Sequence, residues 1–167
     1  MGIRILFVLL SFSVLMGCSS NFGVIQWSGS GFLRKEFLEY KRIAVLPFEG
    51  DDSGEVLNAF TESFREKFPQ ISIVDPEQVA EALREQTLNL GQVDDAMRAK
   101  VGKTLEAQAL ITGNVYYPTI RRWLFQVIIL DTETGRVMGR SLAEIDFMGA
   151  LRKAEGAHIA VEKLTLW

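Results

Sequence analysis

The lone cysteine, Cys18, stands directly behind a short apolar run, and that placement constrains what the rest of the chain can fold into. Ile5 to Leu10 is unbroken apolar sequence. Phe12, Val14, Leu15 and Met16 extend it, behind a single cation, Arg4. An apolar core of roughly a dozen residues is too short for a bilayer, which takes ~20. Its length and flanks fit a secretion signal over residues 1–17. A domain exported with one cysteine has no internal disulfide to staple it. It must be held by an apolar core instead, and the 150 residues that follow Gly17 out of 167 can bury enough for that.

Leu15-Met16-Gly17-Cys18 resembles the lipobox of bacterial lipoproteins. The resemblance implies cleavage before Cys18 and acylation of its thiol and its new amine, which leaves no free thiol. Several acyl chains anchor firmly where one binds only marginally. Ser19, rather than aspartate, follows Cys18. By the same resemblance this implies the outer membrane, with the domain on its periplasmic face. The Met1-Gly2 start is no myristoylation signal, because Leu6 stands where Ser or Thr is needed.

Charge and chemistry narrow the function further. Lysine plus arginine number 18 against 21 acids, a net charge of −3 that becomes −4 once Arg4 is removed. That balance argues against a nucleic-acid partner held by a basic surface. It suits steering of a cationic polymer, or simple solubility. One cysteine and one histidine exclude a cysteine zinc site and any scheme with two imidazoles. Asp51-Asp52 and Asp94-Asp95 each precede a helical pattern and read as helix caps. His158 has no recognisable nucleophile beside it in the sequence. Ser28-Gly29-Ser30-Gly31 lacks the leading glycine of a nucleophile elbow. There is no phosphate loop or dinucleotide fingerprint. No enzymatic activity, cofactor or metal is expected.

Residues 18–40 read as an acylated tether and residues 41–167 as one folded domain. Ser19 to Gly31 is rich in serine and glycine, which suits a flexible segment. Its Phe22, Val24, Ile25 and Trp27 fit a lipid surface, a neighbouring subunit or docking on the chain's own domain. Phe32 to Tyr40 suggests a short helical turn. Ile43 to Leu46 is an apolar run closed by Pro47, the pattern of a buried strand. Val56, Leu57, Phe60, Phe64 and Phe68 recur at helical spacing. Ile71 to Val74 is a second strand, and Asp75-Pro76-Glu77 is a helix start. Met97, Val101 and Leu105 mark a further helix. Strands follow over Ala109 to Tyr116, Trp123 to Leu130 and Arg136 to Phe147, the last two joined by a turn at Asp131 to Gly135. Ala150 to Leu164 closes the chain as a helix. The expected fold is α/β (α+β): a mixed, mainly antiparallel sheet of about five strands with helices packed on it, in the order βα-βα-α-βββ-α.

That order, carried by particular residues, resembles a known family. The residues are Lys41 to Phe48, Leu57 to Phe64, Ser72 to Asp75, Gln78, Leu83 and Gln86, then Val101-Gly102-Lys103, Ala109 to Val115 and Leu130 to Val137. Together they resemble the periplasmic domain shared by the curli secretion lipoprotein CsgG, the penicillin-binding-protein activator LpoB, the Pel polysaccharide export lipoprotein PelC and the N-terminal domain of TolB. The chain departs from that pattern in two places. It has Glu106-Ala107-Gln108 where the family often has Gly-Ala-Asp, and Gly139 where the family has a tryptophan.

Among these relatives the chain is closest in build to the Pel type. No pair of ~10-residue alternating strands is left over for a barrel of the curli kind. The 22 residues from Ser19 to Tyr40 reach at most about 75 Å extended, short for an activator that must cross the periplasm. The resemblance therefore implies an oligomeric, ring-forming accessory subunit of an envelope export system, most like exopolysaccharide export. Its partners would be a second copy of itself and an outer-membrane barrel or periplasmic scaffold. A peptidoglycan-synthase activator and a curli-type secretion subunit are the alternatives. The site residues are Cys18 for lipidation and Arg121, Arg122, Trp123 and Trp167 as candidates for membrane contact. Two cations beside an indole suit anionic headgroups, although a tryptophan in a hairpin also suits a core.

Overall fold

An uninterrupted apolar strand needs cover on both faces, and the computed structural model, which describes residues 27–84, 95–119, 122–146 and 153–167, supplies it. Strand β2 (Arg42–Val45) lies between β3 (Ser72–Ile73) and β4 (Ala109–Thr119), parallel to both. Ile43 and Val45 point into one apolar cluster, with Ala109 and Ile111 of β4. Ala44 and Leu46 point into another, with Leu110. Alternate residues of a strand face opposite sides, so every position of the run is buried.

Helices α1 (Glu55–Lys67) and α4 (Lys153–Glu162) cover the first face. Val56, Phe60 and Phe64 of α1, one to two turns apart, are each wholly buried there. The Phe60 and Phe64 rings join Phe37, Phe48, Phe68 and Phe125 in a chain of edge and tilted contacts. Alanines 157 and 160 let α4 lie close beside α1. Helices α2 (Pro76–Arg84) and α3 (Asp95–Thr104) cover the second face through Val79, Leu83, Met97 and Val101. The Asp51 carboxylate accepts the Leu57 amide proton at 2.8 Å, which caps α1. Asp94 lies outside the described residues.

Strands β5 (Arg122–Asp131) and β6 (Val137–Asp146) continue from β4 as antiparallel hairpins. At the β5–β6 turn Gly135 has φ +73°, as the Asp131–Gly135 pattern requires. The sheet order is β1-β6-β5-β4-β2-β3, with β1 spanning Trp27–Leu33. The expected α/β architecture is present, with one strand more than the five expected.

That extra strand corrects the tether. Residues 27–33 pair with β6 in antiparallel register from Trp27 opposite Ile145 to Leu33 opposite Gly139. A 3-10 turn at Lys35–Glu39 then buries Phe37. The glycines that suggested a linker serve close approach instead. A Cβ on Gly31 would stand 2.6 Å from the Lys163 carbonyl oxygen, and one on Gly29 3.0 Å from the Lys163 side chain. Composition alone does not separate a glycine chosen for freedom from one chosen for space.

The residues at 106–108 and at 139 each have a local cause. Glu106 closes α3 at φ +51°, the one positive-φ residue other than glycine among the described residues. The Ala107 amide donates back to the Gly102 carbonyl at 2.9 Å. This is the left-handed helix end at which glycine is favoured. Gln108 works through its side-chain oxygen, which accepts the Lys41 amide at 2.6 Å and so ties α3 to the start of β2. Gly139 is bare because Leu33 of β1 fills its space, 2.8 Å from where a Cβ would be.

Candidate functional site

Strand directions bring four strand ends to one end of the sheet. Thr119 at the end of β4 faces Arg122 at the start of β5. Arg122 faces Asp146 at the end of β6. Trp27, which opens β1, lies opposite Ile145. The chain therefore enters its described fold at the same end as the β4–β5 tip.

Strand β4 turns to solvent at that tip. Its first three residues are buried, and Val115 is the last buried one. Tyr116 and Tyr117 are 39% and 52% exposed. Neighbours in a strand point to opposite faces. Both are exposed where the β4–β5 register shifts between Tyr116 and Thr119, a break in the strand's alternation. The pair was not singled out from sequence. The available signal was Tyr-Tyr-Pro, two adjacent aromatics where alternation stops and a proline closes the strand. Arg122 beside them forms an ion pair through its Nε with Glu144 Oε1 at 3.0 Å.

The other expected residues divide. Cys18 and Arg121 lie outside the described residues. Trp123 is corrected: it is 1% exposed and sits in the core, its ring stacked on Phe125 at 6.3 Å. The reason is phase. Positions 123, 125, 127 and 129 of β5 all turn inward under α1 and α4, and the indole keeps that register up to the strand's first turn inward. Its Nε1 has no hydrogen-bond partner among the described residues.

Trp167 is 77% exposed but stands at the opposite end of β1. Its amide donates to the Leu33 carbonyl at 2.9 Å, and the Leu33 amide donates to the Thr165 carbonyl at 2.7 Å. Phe32 meets its ring edge-on at 6.3 Å and the Arg34 guanidinium lies 5.8 Å from its centre. Seven residues of strand, about 20 Å, separate it from Trp27. The structure therefore does not bring Trp167 together with Arg122.

Groups with chemical potential are absorbed by packing. Ser63 Oγ donates to the Ala59 carbonyl at 2.8 Å and meets His158 Nδ1 in the α1–α4 contact. Ser63 is buried, and no carboxylate orients the imidazole among the described residues. The Tyr40 hydroxyl donates to the Asp131 carboxylate, tying the 3-10 turn to the β5–β6 turn. Burial first, then that hydrogen bond and the neighbouring charge, push the Tyr40 hydroxyl far above its ordinary range. Burial pushes Asp131 upward. This is outweighed by hydrogen bonds from the Thr134 and Tyr40 hydroxyls and the Thr134 and Glu133 amides, which hold the carboxyl below its ordinary value. Lys67 Nζ caps α4, donating to the carbonyls of Val161 at 2.8 Å and Glu162 at 2.9 Å. Burial lowers its pKa, against the pull of Glu162. Among the described residues no three His, Cys, Asp or Glu side chains cluster as a metal site. No helix there is long and apolar enough to cross a membrane.

No family model and no curated protein sequence matches the chain. Solved structures do. The chain is similar to the PelC dodecamer from Paraburkholderia phytofirmans at a TM-score of 0.51 and 11% identity, over 83% of this chain and 94% of that one. It is similar to the lipoprotein GNA1162 from Neisseria meningitidis at 0.51 and 16%, over 72% and 92%. The LpoB C-terminal domain from Salmonella enterica follows at 0.46 and 15%, over 64% and 83%. At these identities the likeness is one of fold.

Proposed function

We propose that the chain is an outer-membrane lipoprotein, acylated at Cys18, that acts as a ring-forming accessory subunit of an envelope export system of the Pel exopolysaccharide type and carries no catalysis of its own. The observation that supports this most is the PelC likeness, which spans 94% of that protein and 83% of this one and belongs to a dodecamer. The acylation motif stands nine residues before β1, so the domain sits within about 30 Å of its anchor.

The native mass of the acylated protein in detergent, beside a soluble Cys18→Ala form, tests the reading. A discrete high-mass species that needs the acyl anchor supports it. A monomer in both forms, well above cellular concentration, overturns the ring and moves the assignment to a monomeric activator of a periplasmic enzyme. A mature protein whose mass shows no acyl chains overturns the lipoprotein assignment itself.

A further inference from the structure

We infer that β1 is a mechanical clamp: it carries the pull of the membrane anchor in shear, and a glycine slot beside α4 locks its register so that it cannot slide out toward the lipid. The inference rests on acylation at Cys18 and goes beyond it, from where the domain is held to how the hold resists load.

The pull acts along the strand. β1 runs from Trp27, where the described fold begins, to Leu33 at the far end. A load on the chain before Trp27 draws β1 out along its own axis. Bonds between antiparallel strands lie perpendicular to the strands. A pull along the axis therefore loads the whole ladder together, whereas a pull across it breaks the bonds one after another. The β1–β6 ladder keeps one register from Trp27 to Leu33, while the β4–β5 and β5–β6 ladders each contain a shift. The far end is also held on its other side. The Leu33 amide donates to the Thr165 carbonyl at 2.7 Å, and the Leu33 carbonyl accepts the Trp167 amide at 2.9 Å.

Sliding needs room that the fold withholds. A slip of one residue turns every side chain to the wrong face, so the smallest slip that keeps the faces is two residues. Drawn toward the anchor by that step, Leu33 would enter the place of Gly31. A Cβ there would already stand 2.6 Å from the Lys163 carbonyl oxygen and 2.7 Å from that of Arg140. A leucine does not fit where a single carbon clashes with two backbone atoms. Leu33 would also have to leave Gly139, whose missing side chain gives it room: its Cδ1 lies 2.8 Å from where that Cβ would be. Leu33 is thus a stop seated behind a slot that it cannot pass.

Single-molecule pulling on the soluble Cys18→Ala chain tests the clamp in two geometries. One handle is fixed at the N-terminus. The other is a single thiol, either Glu133→Cys in the β5–β6 turn at the far end of the sheet or Pro118→Cys near the Trp27 end, both exposed positions. Against 133 the load runs along β1 and shears it. Against 118 both handles lie at one end, the load turns across the strands, and β1 peels. The 118 geometry should show a first step that frees residues 27–41, about 50 Å of chain, at low force. The 133 geometry should show no such early step and a severalfold higher first rupture force. Leu33→Gly removes the stop and should bring the 133 force down to the 118 force. Ile111→Ala, in the core of β4, weakens the fold without touching the slot and should keep the two forces apart. Equal forces in the parent, or an early β1 step in the 133 geometry, overturns the clamp. A Leu33→Gly chain that keeps the parent's ratio overturns the stop. The handle replaces the lipid, so these outcomes are independent of acylation, which the mass of the mature protein decides.

Discussion

Replacing Glu106 with glycine should stabilise the domain. Glu106 closes α3 in the left-handed region at φ +51°, is exposed, and sits between Leu105 and Ala107, whose amides donate back into the helix at 3.0 and 2.9 Å. A side chain in that region costs about 1–2 kcal/mol. Glycine removes the cost but widens the unfolded ensemble, which takes back about 0.4–1 kcal/mol. The net gain is about 0.5–1 kcal/mol, which for a domain of this size is about 2–3 °C in Tm. The assay is urea and thermal unfolding of the soluble Cys18→Ala form carrying Glu106→Gly or Glu106→Ala. Alanine keeps the strain and removes only the carboxylate, so it should match the parent within about 0.5 kcal/mol. A glycine variant no more stable than the alanine variant would refute the argument. The result would show that the helix end is set by something other than backbone strain.

Three further outcomes follow from the same structure. Trp123→Ala should lower stability by about 3–5 kcal/mol, as loss of a buried aromatic does. A membrane-facing indole would leave the soluble form unchanged. Gly31→Ala should overpack the contact with Lys163 and cost about 1–3 kcal/mol, exposing residues 27–33 to limited proteolysis. The Tyr40–Asp131 pair should shape both limbs of the stability–pH curve, read as urea midpoints. Tyr40 keeps its proton longer folded than unfolded, so its contribution is whole below pH 10 and lost as pH rises beyond that value. Asp131 ionises more readily folded, so its contribution is present above pH 3.8 and lost as pH falls below it. Tyr40→Phe should flatten the alkaline fall and Asp131→Asn the acid one.

Much of the fold was legible because its elements carry strong local signals. The phenylalanines of α1 recur at helical spacing, and the Asp75-Pro76-Glu77 start and the Asp131 to Gly135 turn use residues chosen for their backbone. β1 was not legible. Trp-Ser-Gly-Ser-Gly-Phe-Leu has neither β-branched residues nor apolar alternation, and its pairing is set by a partner more than a hundred residues away. The glycines there answer to Lys163, a tertiary neighbour that no window of sequence contains. The site failed for a related reason. Arg121-Arg122-Trp123 reads as a basic aromatic cluster, yet adjacent strand residues separate by face. Arg122 goes outward to Glu144 and Trp123 inward to Phe125. Tyr116 and Tyr117 escape that rule where the β4–β5 register shifts between Tyr116 and Thr119, a break that sequence does not show.

Placing β1 in the sheet changes what the anchor proposed at Cys18 can do. With residues 18–40 free, the domain would roam up to about 75 Å from the lipid in any orientation. With the sheet starting at Trp27, the reach falls to about 30 Å, comparable to the length of β4 itself, 11 residues or about 37 Å. A body of that size on so short a leash cannot turn its far end to the surface. The tether then sets orientation as well as distance. That is the condition a subunit needs if identical copies are to meet side by side in one plane and close a ring. Lengthening the segment between Cys18 and Trp27 by about twenty glycine and serine residues therefore tests the link. It restores rotational freedom without touching the fold, adding about 25 Å of coil. Ring formation on vesicles should weaken while unfolding of the soluble form stays unchanged. Assembly that is indifferent to the insertion would mean that the subunits find one another through their faces alone, with the membrane as a passive support.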